Sequence, residues 1–352
     1  MRRLNFAMFV ALGCLASAPC MRAQGGITTF DAPGAGAGPR QGTLPQQITA
    51  AGTIVGNYVD TNYVTHGFVR TAQGEFTTID VPGARRTQAL GMTQARIVGF
   101  YRDTNRVRRG YVLGPDGKFV TFDAPGAGTS PGQGTLAAAI NAAGTVSGMY
   151  FDANFVTHGF VRAADGTIAT FDPPGSVSVI ADTLGINSAG TVVEQYVDAN
   201  SLGHGALRAA DGTITTFDVP QAGTGPGQGT FPEAINVVGM VSGNYVDSNS
   251  VNHGFLRAAD GTITTFDVPQ AGTGAFEGTI PAGSNPSGAT TGGYLDSNFV
   301  SHGFVRAADG TIVIFDAPGA VGTGAISITP SGAATGSYTD SSFVSHGFVR
   351  TP

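Results

Sequence analysis

Residues 140–172 read INAAGTVSGMYFDANFVTHGFVRAADGTIATFD, and this stretch decides the fold. It holds apolar or alternating runs of strand length, with no helical period. Glycine-bearing turns separate them: Asn141 to Gly144 suits a tight hairpin with glycine at positive φ, and Ala164-Asp165-Gly166 suits another. Close copies of His158-Gly-Phe-Val-Arg162 recur with their first residue at His66, Arg109, His204, His253, His302 and His346. Seven copies, 43 to 49 residues apart, each with four strand-like segments, match the blade of a β-propeller.

The phase of the repeat sharpens this expectation. After its first residues the chain opens on a fourth-strand segment, Ile27-Thr-Thr-Phe30-Asp31, and it closes on a third-strand segment, His346 to Arg350. The seventh unit thus lacks an outer strand, and the start of the chain carries a spare one. An open solenoid would need polar capping repeats instead. The expectation is an all-β, seven-bladed β-propeller of four-stranded blades, its last blade closed by the N-terminal strand. The series Ile-Asn-x-x-Gly-Thr-Val-x-Gly-x-Tyr followed by His-Gly-Phe resembles the HAF-type repeats of bacterial extracellular proteins, over nearly all of residues 27 to 350. Glycine stands where that family usually has alanine after the histidine, and tryptophan is absent. The resemblance implies an extracellular repeat protein and no particular reaction.

Glycine (54) and proline (19) make up about a fifth of the chain, yet 41% is hydrophobic, which fits many short strands better than disorder. Residues 1–23 carry Arg2 and Arg3, an apolar run from Leu4 to Ala18 and then small residues, the layout of a secretory signal peptide. Cleavage is expected after Ala23 or Ala18, leaving one domain over 24–352 that is secreted to the exterior or periplasm. Cys14 and Cys20 fall in the leader, so no disulfide or cysteine-bound metal is expected. No later run is long and apolar enough to span a membrane as a helix.

Six histidines at matching positions raise the question of a metal, but they start the third strand of separate blades and cannot converge on one ion. Each repeat also has an Asp six residues before that position: Asp60, Asp103, Asp152, Asp198, Asp247, Asp296 and Asp340. Pairing the two across a hairpin sets Asp60 against His66, Tyr58 against Phe68 and Gly56 against Arg70. Arg109 keeps a cationic donor before Asp103, and Glu194, standing where other repeats have glycine, falls opposite Arg208 as an expected ion pair. The pairs Asp60–His66, Asp103–Arg109, Asp152–His158, Asp198–His204, Asp247–His253, Asp296–His302 and Asp340–His346 therefore read as structural, with no metal, cofactor or catalytic residue assigned. The Asp-x-Asn loops lack the further carboxylates of a calcium loop and read as Asx turns.

The repeats differ most in charge. The chain beyond residue 23 has 15 basic and 24 acidic side chains, yet residues 83–123 hold eight of the bases, Arg85, Arg86, Arg96, Arg102, Arg106, Arg108, Arg109 and Lys118, against three acids. In an antiparallel unit the linker into the first strand and the loop between the second and third open on one face. Arg85, Arg86, Arg102, Arg106 and Arg108 fall there, with Tyr63, Phe155, Phe299 and Phe343 at matching loop positions. Arginine beside aromatics suits an anionic glycan or an acidic protein surface. A wholly structural alternative pairs the arginines with carboxylates of neighbouring blades. Nucleic acid is disfavoured by the acidic balance elsewhere. The leading expectation is a monomeric, non-enzymatic binding or scaffold module for an extracellular polysaccharide or protein. The alternatives are a propeller-type polysaccharide lyase or glycoside hydrolase, for which Asp182, Glu233 and Glu277 are unmatched acids, and a structural surface or matrix protein.

Overall fold

The computed structural model describes residues 25–352, with the backbone alone at 181–184. The expected leader, its cleavage points and both cysteines lie outside the described residues. Among those residues there are twenty-eight strands and no helix. They pair in antiparallel quartets. In the third repeat Gly134–Ile140 pairs with Val146–Phe151, which pairs with Thr157–Arg162, which pairs with Ile168–Phe171. The same order recurs over residues 42–79, 86–122, 178–217, 229–266 and 278–315. The seventh set joins Gly322–Ile328, Ala334–Thr339 and Ser345–Arg350 to the N-terminal strand Ile27–Phe30, whose Ile27 pairs with Arg350 and Phe30 with Gly347.

The first strands of successive quartets touch in turn, and Gly322–Ile328 touches Gly42–Ile48. The last junction uses the bonds of the inner ones. The Ser345 amide donates to the Gln41 carbonyl as Arg108 does to Gln133, Gly203 to Gln228 and Asn252 to Glu277. At the far ends of the first strands, Asn141 donates to the Asn187 carbonyl of the next repeat, Asn236 to Asn285, and Asn285 to Thr329. These side chains also accept from the amide four residues on. The Ile-Asn-x-x-Gly motif is thus a hairpin lock and an inter-repeat tie in one residue, its Gly144 at φ 85°.

Each letter of the His-Gly-Phe-Val-Arg motif has a packing task. The phenylalanine, fully buried as Phe68, Phe160, Phe255, Phe304 and Phe348, lies opposite a second-strand glycine such as Gly148. The motif glycine clears the outer-strand ring: a Cβ on Gly347 would stand 2.4 Å from Phe30 Cε2, and one on Gly205 2.5 Å from Phe217 Cζ. The motif position therefore leaves no room for a side chain. The arginine stacks on the outer-strand ring of the preceding repeat, Arg162 over Phe122 and Arg257 over Phe217 at 4.9 Å. Arg70 makes the same contact with Phe30 at 4.6 Å, across the meeting point of the chain ends.

The hairpin between second and third strands is tighter than the sequence suggests. Tyr58, not Asp60, stands opposite His66; Phe68 faces Gly56, and Arg70 faces Ile54. The cause is the Asp carboxylate: Asp60 Oδ1 accepts from the amides of Asn62 and Val64, both at 2.8 Å, and the Asp60 amide donates to the Val64 carbonyl. The turn consumes the residues that a looser hairpin would pair. The same shift sets Glu194 opposite Ala206 and Arg208 opposite Val192, so the expected Glu194–Arg208 cross-strand pair does not form.

Candidate functional site

The histidines are held by two carboxylates each. His66 Nδ1 bonds Asp80 at 2.9 Å, while Nε2 lies 3.6 Å from Asp60. His158, His204, His253 and His302 repeat this with Asp172, Asp218, Asp267 and Asp316 at 2.9–3.0 Å, and with Asp152, Asp198, Asp247 and Asp296 at 3.6–3.8 Å. His346 bridges Asp340 and Asp31, so this contact too joins the last strand to the residues after the first. Arg109 reaches both Asp103, at 3.2 Å, and Asp123. The nearer partner, an Asp that directly follows the fourth strand, fourteen residues after the His in all but the last repeat, was legible in the sequence as the repeated end of that strand. The rings also stack on Tyr58, Tyr150, Tyr196, Tyr245, Tyr294 and Tyr338 at 4.9–5.0 Å. The first Asp serves mainly the loop. The Leu202 amide is the chief cause that Asp198 sits below the usual carboxylate range, opposed by partial burial and aided by Asn200 and His204. Asp60→Ala is therefore expected to lower the melting temperature more than Asp80→Ala, as thermal unfolding of the two variants would show.

The loop face gathers the residues singled out for binding. Arg86 stands opposite Arg102, and Arg102 opposite Arg108, so three adjacent strands carry one row of like charges. Paired residues share a face of the sheet, and like charges in that arrangement repel. In the first repeat the row reads Gly42, Val59 and Thr65. The Arg85 amide donates to the Arg102 carbonyl, and the Arg106 carbonyl accepts from Gly132. The Arg108 guanidinium lies over the Phe151 ring of the next repeat at 4.5 Å and donates to the Gly132 carbonyl. Burial, then the neighbouring Arg102, draws the Arg108 pKa below its usual value. Among the described residues none of these five arginines has a carboxylate within ion-pair distance. The alternative in which acids of adjacent repeats neutralise them is not what the structure contains.

Tyr63, Arg106, Phe155, Phe299 and Phe343 occupy one loop position, and all have φ between 59° and 64°. This left-handed region costs an L side chain roughly 1–2 kcal/mol, and the four rings are 51–66% exposed. Phe155 lies by Gly132, next to Arg106; Tyr63, Phe299 and Phe343 stand on repeats one, six and seven. Sequence reasoning missed Phe276 and Arg40. Phe276 is 70% exposed with φ 67°, where the equivalent linkers have Gly132 and Gly227; Arg40, at φ 62°, donates its amide to the Phe343 carbonyl. On repeat six a cavity of about 300 Å³ is lined by Gln270, Tyr294, Asp296, Ser297, His302 and Asp316.

Of the unmatched acids, Glu277 is buried and accepts from the Gly274 amide, and Glu233 accepts from Gln195. The Asp182 side chain lies outside the described residues.

Comparison with solved structures places the architecture. Virginiamycin B lyase from Staphylococcus aureus superposes with a TM-score of 0.60 at 12% identity, over 93% of this chain and all of that one. The BP39L lectin from Burkholderia pseudomallei gives 0.54 at 9%, over 87% and 94%. A puromycin hydrolase gives 0.56 at 13%, over 84% of this chain and 50% of its own. The fold is a β-propeller. No protein-family model matches the chain, and no curated protein does. A lyase, a lectin and a hydrolase share this scaffold, so the propeller by itself does not select among their activities.

Proposed function

We propose that the seven quartets are the blades of one closed propeller, and that the chain is a secreted, non-enzymatic module of the HAF-type repeat class. It recognises an extracellular partner, a polysaccharide or a surface protein, through its loop face. The observation that carries this reading is the set of exposed aromatic rings held in left-handed backbone at loop tips. The turn itself is common to all seven repeats, Ser201 and Ser250 included, and is held by its Asp carboxylate; what distinguishes these four repeats is a large ring left exposed on it, where a ligand can stack. The lectin among the structural neighbours supports the reading at the level of scaffold.

The test replaces Tyr63, Phe155, Phe299 and Phe343 by Ser, the residue that repeats four and five carry there as Ser201 and Ser250. The variant is expected to keep its fold and to lose about tenfold or more in affinity across a panel of neutral and acidic polysaccharides. Unchanged binding would move recognition off this face. A second reading, a lyase or glycoside hydrolase, draws on the repeat-six cavity, where Asp296 and Asp316 flank His302; chain shortening of a bound polysaccharide, abolished by Asp316→Asn, would favour it.

A further inference from the structure

From the arginine row we infer that the loop face at repeats two and three binds an extended polyanionic glycan bearing one negative charge per sugar, laid along Arg86, Arg102 and Arg108. The inference rests on the loop-face reading above and narrows it to a ligand class and a line of contact.

Three features carry it. First, the row is built against its own stability: two directly opposed like-charge pairs occupy positions that read Gly42, Val59 and Thr65 in the first repeat and Gly229, Val246 and Asn252 in the fifth. Second, the charges have no acid within reach among the described residues, although the protein carries more acidic than basic side chains. Arg109, one residue away and on the opposite face of the strand, takes both Asp103 and Asp123. The acids of this repeat are thus spent on the other face. Third, the spacing is set by the sheet. Adjacent strands lie about 4.8 Å apart, so the row presents donors at a regular interval on a rigid frame. A chain with a single charge on every monomer can engage the whole row, whereas a compact anion engages only part of it.

The row is also partly preorganised. Arg108 is clamped between the Phe151 ring and the Gly132 carbonyl, which fixes the guanidinium plane and lowers the ordering cost of a bidentate contact. Arg85 and Arg106 flank the row from the linker and the loop tip, both exposed, and Phe155 stands beside the Arg106 contact. Sulfate and carboxylate both fit guanidinium donors, so the shared chemistry is a repeated monoanion and the experiment separates the two.

The experiment measures binding of the whole protein to polygalacturonate, to the same polymer with its carboxyl groups reduced, and to dextran sulfate, across a salt series. It is repeated with a variant carrying Arg86→Gly, Arg102→Val and Arg108→Thr, the residues of the first repeat. Binding to one or both polyanions, weakened by salt and reduced about 30-fold in the variant, with no binding of the reduced polymer, is the expected result; which polyanion binds tighter assigns carboxylate or sulfate. Equal binding of the reduced polymer, or a folded variant that binds like the parent, overturns this inference and leaves the aromatic loop-face reading standing. Binding that neither the arginine nor the aromatic replacements touch overturns both; failure of the parent to bind either polyanion overturns this inference alone and leaves the loop-face reading to the wider polysaccharide panel. Thermal unfolding of the variant serves as the folding control, with equal or higher stability expected because the like-charge pairs are gone.

Discussion

Removing residues 27–33 is expected to cost the protein about 5 kcal/mol or more, far beyond the usual effect of trimming a chain end. The strand Ile27–Phe30 is the outer strand of the last quartet, so its loss leaves the Ser345–Arg350 edge open to solvent and to other chains. Losses accumulate outside the ladder too. Arg70 loses the Phe30 ring beneath it, His346 loses Asp31, and Ala32, 3% exposed, leaves the core of the first repeat. Burial works against protonating His346, but Asp31 and then Asp340 raise its pKa above the usual value. A raised imidazole pKa contributes stability that is full below the unfolded value and is lost as pH rises through the folded one. The contact between the N-terminal strand and the last quartet is accordingly expected to weaken from acid to neutral pH. Urea unfolding of the deletion variant, with and without a peptide of residues 25–34 supplied in trans, reads both the loss and its recovery. A deletion that leaves stability unchanged would contradict a closed ring.

The second large effect concerns Glu194. Six repeats pair a second-strand glycine with a third-strand aromatic: Gly56 with Phe68, Gly99 with Tyr111, Gly148 with Phe160, Gly243 with Phe255, Gly292 with Phe304 and Gly336 with Phe348. Repeat four reverses the sizes, with Glu194 opposite Ala206. The carboxyl fills the space a ring takes elsewhere: it packs so closely on the preceding repeat that a Cβ on Gly159 would lie 2.3 Å from Oε1. Glu194 is 1% exposed, and among the described residues neither oxygen has a hydrogen-bond partner. Burial first, then Asp172, pushes its pKa well above the ordinary value, with Arg208 opposing. For an acid with a raised pKa the folded state holds a proton the unfolded state releases. Stability therefore falls as pH rises above the unfolded value near 4.5, by up to about 1.4 kcal/mol per pH unit, until the folded pKa is passed.

The double change Glu194→Gly with Ala206→Phe restores the pair found in the other repeats and is expected to stabilise by about 2–4 kcal/mol at neutral pH. Ala206→Phe alone forces a ring into occupied space and is expected to destabilise by about 1–3 kcal/mol, so the two changes are strongly non-additive. Denaturant unfolding at several pH values tests both points. A parent and a double variant with parallel stability profiles would show that Glu194 is not the buried proton carrier.

Much of the site was legible in the chain, and what was missed has a common cause. The arginines of the second repeat and the loop aromatics could be assigned to one face because antiparallel connectivity alone puts their loops there. Their row could not be read, because it depends on register. Alternation along a strand has a period of two, so a pairing shifted by two residues keeps every side chain on its face. His66 opposite Asp60 and His66 opposite Tyr58 are equally consistent with the pattern of apolar residues. The choice was made by the Asp60 carboxylate, which captures two backbone amides and tightens the turn. The same two-residue shift separates Glu194 from Arg208.

The sequence by itself determined the unit, the number of its copies and the phase in which the chain enters and leaves them, since each follows from local strand and turn chemistry repeated along the chain. Only the tertiary structure decided which side chains meet between units: Arg70 on Phe30, His346 on Asp31, Arg108 on Phe151, and a buried Glu194 in the place of a ring. Those contacts join residues of different repeats or different hairpins. Their geometry is fixed by hydrogen-bonded turns and packing volume, neither of which is encoded in a hydrophobic pattern.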